Sequence, residues 1–301
     1  MAIRNVLRTR RGVVIVAVAC TALGVGSTLA IQQAQAVGSG SSAPNVPQVH
    51  ADPNPTLHPV NASGQVVPAA AATNAQCGQV LTASLTLNGD LTCGTGTALT
   101  VSGTSVVLNL NGFAIYGPGA GSGSSVGVNV TGKSATVENG QISGFQFGVQ
   151  VLPVAAADTV TKLRMSFNFY GLDDLGSAAK ITSNEAYGNE GEGLIAVGPN
   201  ATVTSNRAST NGTSLGGYVG IYIGGTKAIV TGNFAIGNLD AVGIYVVGYN
   251  ATVTNNVANF NDQLGIEVAD GDVIDGGGNM AKGNNLSSPS TAHQCSNIVC
   301  N

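Results

Sequence analysis

Charge is what this chain has least of. Only 9% of its 301 residues are Asp, Glu, Lys or Arg, where an ordinary globular domain carries roughly 25%. With 11 Lys+Arg and a net charge of -4, it has no basic stripe to displace counterions from a phosphate backbone, which excludes a nucleic-acid binder. Tryptophan is absent. Histidine occurs only at His50, His58 and His293, all outside the repeats described below, so the repeats hold no imidazole base or ligand. What the chain does have is 43 Gly, together with much Asn, Thr and Val. That balance suits a solenoid, in which stacked coils bury small and apolar residues while polar side chains bond along the stack.

The stack is written out between Ala179 and Ala258. Four phrases start at Ile181, Val203, Val230 and Val253, which lie 22, 27 and 23 residues apart by subtraction. Each has an apolar lead residue, then Thr, an Asn two places on, an Ala two beyond that, and a second Asn three further. A Gly-aliphatic pair closes each phrase, at Gly193-Leu194, Gly220-Ile221, Gly243-Ile244 and Gly265-Ile266. A period of this length is that of solenoid coils. Extending the phrase places Val137 and Val160 before the four leads and Ile274 after them.

The N-terminal part differs. Arg4, Arg8, Arg10 and Arg11 precede an apolar run from Gly12 to Ala30, and Ala34-Gln-Ala36 follows. This three-part pattern predicts a secretory signal over 1–36, with cleavage after Ala36. No transmembrane segment is expected once that signal is removed. The stretch 37–75 is rich in Pro, Ser and Ala without apolar periodicity and reads as a flexible linker. The solenoid domain is expected over 76–301. Cys20 would leave with the signal, so four cysteines remain, in an exported chain that favours pairing. Coils stack about 4.8 Å apart, which sets ends seven coils apart on the order of 35 Å from each other. A disulfide needs Cα atoms within roughly 7 Å. Cys77 is therefore expected to pair with Cys93, and Cys295 with Cys300.

From Cys77 to Cys300 the repeat and composition resemble the right-handed parallel β-helix proteins, the fold of pectate lyases, polygalacturonases and alginate epimerases. The opening Cys77…Leu91-Thr-Cys93…Leu108-Asn-Leu-Asn-Gly-Phe-Ala-Ile115 is similar to the start of bacterial secreted members. The resemblance implies an all-β, right-handed parallel β-helix of roughly 8–10 coils, and a polysaccharide as the class of partner. It does not transfer an activity. The Gly-His-Gly and Arg-x-Lys of polygalacturonases and the Asp-Pro-His-Asp of alginate epimerases are all missing.

Alternation along each strand sorts the repeat positions. Lead aliphatics, the Ala slots and the closing aliphatics point inward. The first Asn of each phrase, Asn184 to Asn279, is expected at a corner in left-handed backbone, and the second, Asn168 to Asn284, in a parallel ladder. Function is then left to the outward rows. One carries five successive threonines, Thr161, Thr182, Thr204, Thr231 and Thr254, followed by Asp275. The other, on the closing strand, reads Gln150, Asp173, Ile195, Tyr222, Tyr245 and Glu267. Tyr222 and Tyr245 form a shelf on which a sugar ring could lie while its hydroxyls meet Gln150 and Glu267.

Asp173-Asp174 is the only paired carboxylate in the coils and the candidate catalytic pair for acid–base or nucleophilic chemistry on a glycan. Adjacent residues of a strand face opposite ways, so a bulge would have to re-aim one of them. Asp173, Asp174, Glu190 and Glu192 offer hard oxygen ligands for Ca²⁺, as do Glu267, Asp270, Asp272 and Asp275. Three functions follow in order: binding or modifying an extracellular polysaccharide by lyase, epimerase or hydrolase chemistry; a non-catalytic surface or adhesion module; and ice binding through the threonines.

Overall fold

The computed structural model describes residues 74–212, 217–269, 273–285 and 294–301, all within the compact unit Asn54–Asn301. The expected signal and linker, up to residue 73, lie outside the described residues, as do His50, His58 and His293. Among the described residues there is no helix, and none long and apolar enough to cross a membrane. The chain winds as a parallel β-solenoid. One sheet has ten strands, taken in chain order from Gln79–Leu81 to Cys295–Ser296, so nine turns separate its first strand from its last. A second sheet of 16 strands makes two further faces, which meet along the long strands Thr136–Ser143 and Thr159–Ser166.

The repeat positions stack in register. Val137, Val160, Ile181, Val203, Val230 and Val253 form one inward column. Leu172, Leu194, Ile221, Ile244 and Ile266 form another across the core. The Ala column begins with larger residues, Leu91, Ile115, Ile142 and Met165, and narrows to Ala186, Ala208, Ala235 and Ala258. All of these alanines are fully buried.

The asparagines account for the corners, though not in the conformation expected of them. The left-handed residue is the one before each first Asn: Ser183 (φ 57°), Ser205 (φ 56°), Gly232 (φ 66°) and Asn255 (φ 55°). That residue bends the chain, and the Asn after it is turned inward rather than bent itself. Asn233 shows what results. Its Nδ2 donates to Val203 O (2.8 Å) and Asn256 Oδ1 (3.0 Å), and its Oδ1 accepts from the backbone N and Nδ2 of Asn206 (both 3.0 Å). Two donors and two lone pairs are thus all used, the full capacity of the group. The second column repeats the arrangement from Asn168 to Asn284, where Gln294 Oε1 takes the last bond at 3.0 Å.

Both disulfides form as expected, with Cα–Cα distances of 5.7 Å for Cys77–Cys93 and 6.3 Å for Cys295–Cys300. The last coil departs from the repeat. Ile274 pairs with Thr252 and Asp275 with Val253, and the register then shifts between Val253 and Thr254, so Ile274 is not a lead residue but stands 55% exposed. Val273 packs on the core instead. Asp275 is correspondingly not the end of the threonine row. It accepts from Gly277 N at 2.9 Å and Val299 N at 3.0 Å, tying down the C-terminal segment.

Asn233→Ala removes four bonds and strands buried partners above and below, each worth about 1–3 kcal/mol. The substitution is expected to destabilise the solenoid by about 4 kcal/mol or more in urea unfolding. Thr204→Ala, on the outer surface, should stay within about 0.5 kcal/mol of the parent. Equal shifts for the two would mean that the ladder contributes nothing special.

Candidate functional site

The outer face of the ten-stranded sheet carries the predicted row. Asn129, Gln150, Asp173, Ile195, Tyr222, Tyr245 and Glu267 are successive register partners, so Gln150, Asp173, Tyr222, Tyr245 and Glu267 line one stripe. The rings of Tyr222 and Tyr245 lie 5.9 Å apart at 62°. Gln150 Nε2 donates to Asp173 Oδ2 at 3.4 Å.

No bulge re-aims the acid pair. Asp173 faces outward, half-buried, while Asp174 takes the inward place between Val151 and Ala196 and is 1% exposed. A group so placed does not reach a ligand on the outer face. Its surroundings are also irregular. The corner from Val151 to Thr159 spans eight residues, where Asp174 to Lys180 and Ala196 to Thr202 span six. At its end Asp158 fills a buried corner position that is alanine in the following coils, Ala179, Ala201, Ala228 and Ala251. Asp158 Oδ1 accepts from Ala135 N at 2.7 Å and Asp174 Oδ1 from Gly176 N at 2.8 Å, while both Oδ2 atoms are buried without a partner. Burial pushes the Asp174 carboxyl up to about 7, and the nearby charges of Asp158 and Asp173 add to the rise. Burial raises Asp158 as well.

The site extends to one side of the predicted stripe. Phe147 and Tyr170 are register partners on the outer surface, with rings stacked 5.1 Å apart at 21°. Phe169 meets Tyr170 edge-on at 4.7 Å and Tyr218 at 5.8 Å. In the next coil Glu192 comes level with Tyr170, because Gly171 N donates to Glu192 O at 3.1 Å. The preceding Gly191 packs closely against the same rings, so that a side chain there would require them to give by a few tenths of an ångström. A β-carbon there would stand 3.2 Å from Phe169 Cε1 and 3.3 Å from Tyr170 Cε1. Burial raises the carboxyl of Glu192, with the Asp173 charge adding to it. Burial likewise raises Asp173, partly offset by the Gln150 bond. The Tyr170 hydroxyl is raised by burial first, then by Glu192, Tyr218 and Asp173. Three neighbouring groups are thus displaced in one direction within an aromatic cluster, with burial the first cause in each.

Sequence reasoning named Asp173 but missed Phe147, Tyr170 and Phe169, and gave Glu192 only as a cation ligand. The signal was available: Phe147 and Tyr170 are 23 residues apart by subtraction, one repeat length. Among the described residues no three His, Cys, Asp or Glu side chains come close enough to hold a metal ion. Asp270 and Asp272, offered as Ca²⁺ ligands with Glu267 and Asp275, lie outside the described residues.

With this geometry, comparison with known proteins becomes informative. The profile of the right handed beta helix region matches residues 126–301. The chain belongs to that right-handed β-helix family. No curated protein matches the sequence. Among solved structures, the β-helix is similar to the enzymatically active domain of bacteriophage CBA120 tailspike protein 2. That match has a TM-score of 0.52 and 15% identity, over 75% of this chain and 41% of that one. The full-length tailspike protein 2, from an Escherichia coli O157:H7 bacteriophage, gives 0.56 and 15%, over 75% and 37%. This right-handed β-helix thus spans about two fifths of the tailspike chains it matches. At such identity the likeness is one of fold.

The buried acids set a pH dependence. The unfolded chain ionises Asp174 near pH 4, whereas the folded chain holds its proton to about 7. The native state therefore binds more protons in that window, and stability falls as pH rises through it. The thermal midpoint is expected to drop between pH 4.5 and 7.5, and Asp174→Asn to flatten the drop. A midpoint that rises with pH would show Asp174 to be ionised.

Proposed function

We propose that this protein is an exported β-helix that binds or modifies an extracellular polysaccharide along the outer face of its ten-stranded sheet. The observation that carries this reading is the continuous outward stripe, in which the Gln150–Asp173 pair leads into the Tyr222–Tyr245 shelf beside the ring cluster of Phe147, Tyr170, Phe169 and Tyr218. Coils in register repeat about every 4.8 Å, so the face presents a line of similar contacts suited to a linear polymer. Aromatic rings offer apolar faces to sugar rings, while the carboxylates and the Gln150 amide bond hydroxyls. Glu267 ends the stripe and Gln150 begins it. Asp173 is the carboxylate placed to act on the glycan.

Two disulfides support an oxidising compartment, in keeping with the leader-like residues 1–36. A tailspike domain whose name records enzymatic activity has the same fold, which makes modification a natural extension of binding. The threonine row is weaker ground for a function. Thr182 Oγ1 bonds Thr161 Oγ1 at 3.0 Å, and the adjacent row is interrupted by Lys180 and Ile229.

Each tyrosine ring contributes about 1 kcal/mol to a stacked contact, so losing both corresponds to roughly thirtyfold in affinity. Tyr222→Ala with Tyr245→Ala is expected to weaken binding to the retained glycan by that factor in titration after an array screen. Unchanged affinity would remove the tyrosine shelf from the site.

A further inference from the structure

The outward row that carries Tyr222 and Tyr245 has a neighbour on the same face. Past the end of each strand the ladder continues by one residue. Leu175 N donates to Val151 O at 2.9 Å, Val197 N to Asp174 O at 2.8 Å, and Gly224 N to Ala196 O at 2.8 Å. Val247 N to Ile223 O at 2.8 Å and Ala269 N to Val246 O at 2.9 Å extend the series. Alternation turns these residues outward again. None of them is buried, and Val197 is 41% exposed. A second row of Leu175, Val197, Gly224, Val247 and Ala269 therefore runs beside Asp173, Ile195, Tyr222, Tyr245 and Glu267. The two rows meet at Gly224, where the position of a β-carbon lies 3.1 Å from Tyr222 Cε1 and 3.5 Å from Val197 Cγ1. The tyrosine ring and the valine methyl thus flank the same bare stretch of backbone.

What this strip lacks decides what it can hold. In the coils of Ile195, Tyr222 and Tyr245, the only polar side-chain atoms of the two rows are the tyrosine hydroxyls. A sugar hydroxyl laid against Ile195, Val197 or Val247 would give up its bonds to water and gain none. A methyl group loses nothing there and buries apolar surface on both sides. Positive charge is lacking too. None of the described Lys or Arg residues lies on a strand of this sheet, whereas Asp173 and Glu267 stand at the two ends of the strip. An anionic polymer would meet like charges with no cation to offset them.

We propose that Ile195, Val197 and Val247 form a subsite for methyl groups borne by an uncharged polysaccharide, with Tyr222 and Tyr245 holding its sugar rings. This rests on the reading that a glycan lies along the outer face of the ten-stranded sheet. The methyl comes from a 6-deoxy sugar or from an O-acetyl ester, which bring the same apolar group to the strip.

The test titrates the full chain with two matched pairs of neutral polymers and one anionic polymer. The pairs are an O-acetylated glucomannan with the same material after mild alkali, and a rhamnan with a mannan; the anionic polymer is polygalacturonate. The methyl-bearing member of at least one pair should bind more tightly, by roughly fourfold for each methyl group buried. A preference in the first pair identifies the ester, and one in the second the deoxy sugar. Val197→Thr with Val247→Thr, at outward positions where Thr keeps the strand propensity, should bring the methyl-bearing polymer down to the level of its bare partner. Val197→Thr alone should lose part of the preference, and both variants should keep the parent circular dichroism and thermal midpoint. Binding without preference in either pair, a preference that survives the double substitution, or tighter binding of polygalacturonate than of the neutral polymers would each overturn the proposal and leave the glycan-binding reading in place. Binding to none of the polymers would overturn both.

Discussion

A buried amide with four bonds to make holds this molecule together. Each ladder asparagine is satisfied only if the coils above and below offer an amide oxygen, an amide nitrogen and a carbonyl at matching height. A slip of one residue would strand several buried polar groups at once, at about 1–3 kcal/mol each. The ladders therefore fix register as well as adding stability. That rigidity offsets the left-handed backbone at the corners, Ser205 and Phe260 among them, a conformation that costs an L-residue roughly 1–2 kcal/mol.

Register turns a one-dimensional repeat into surfaces. Because Leu194, Ile221 and Ile244 stack inward, the residues after them stack outward, and a ligand on that face meets Ile195, Tyr222 and Tyr245 in turn. The irregularities gather where the chemistry is proposed. The strand that carries Asp173 outward carries Asp174 inward, and the long corner before it carries Asp158 in place of alanine. Natural sequences tend to break their own local rules at functional sites. Here the departures raise the carboxyls of Asp158, Asp173, Asp174 and Glu192 together, with burial the first cause in each case.

Some of this was legible beforehand for a physical reason. A two-residue alternation and a fixed period place Val203 over Ile181 and Tyr245 over Tyr222 without any knowledge of the loops. The same stacking limits Cys77 to Cys93 and Cys295 to Cys300, since a disulfide cannot cross the length of the solenoid. Other features were not legible because they arise where the period lapses. Ile274 fits the repeat by spacing, but it pairs with the outward Thr252 and stands exposed. The corner asparagines fit left-handed backbone by residue type, yet the preceding residue takes that conformation because the amide is needed inside.

The sequence by itself determined the parallel solenoid, its inward and outward rows, the pairing of its cysteines and the stripe through Asp173, Tyr222 and Tyr245. All of these follow from periodicity, which is a local property repeated. The tertiary structure decided where the acids lie. Asp174 is removed from the face by strand alternation left uncorrected, and Glu192 is brought to it by a turn through Gly191 that presses against Phe169 and Tyr170. No spacing in the chain encodes that contact, because it depends on where a non-repeating loop meets the neighbouring coil.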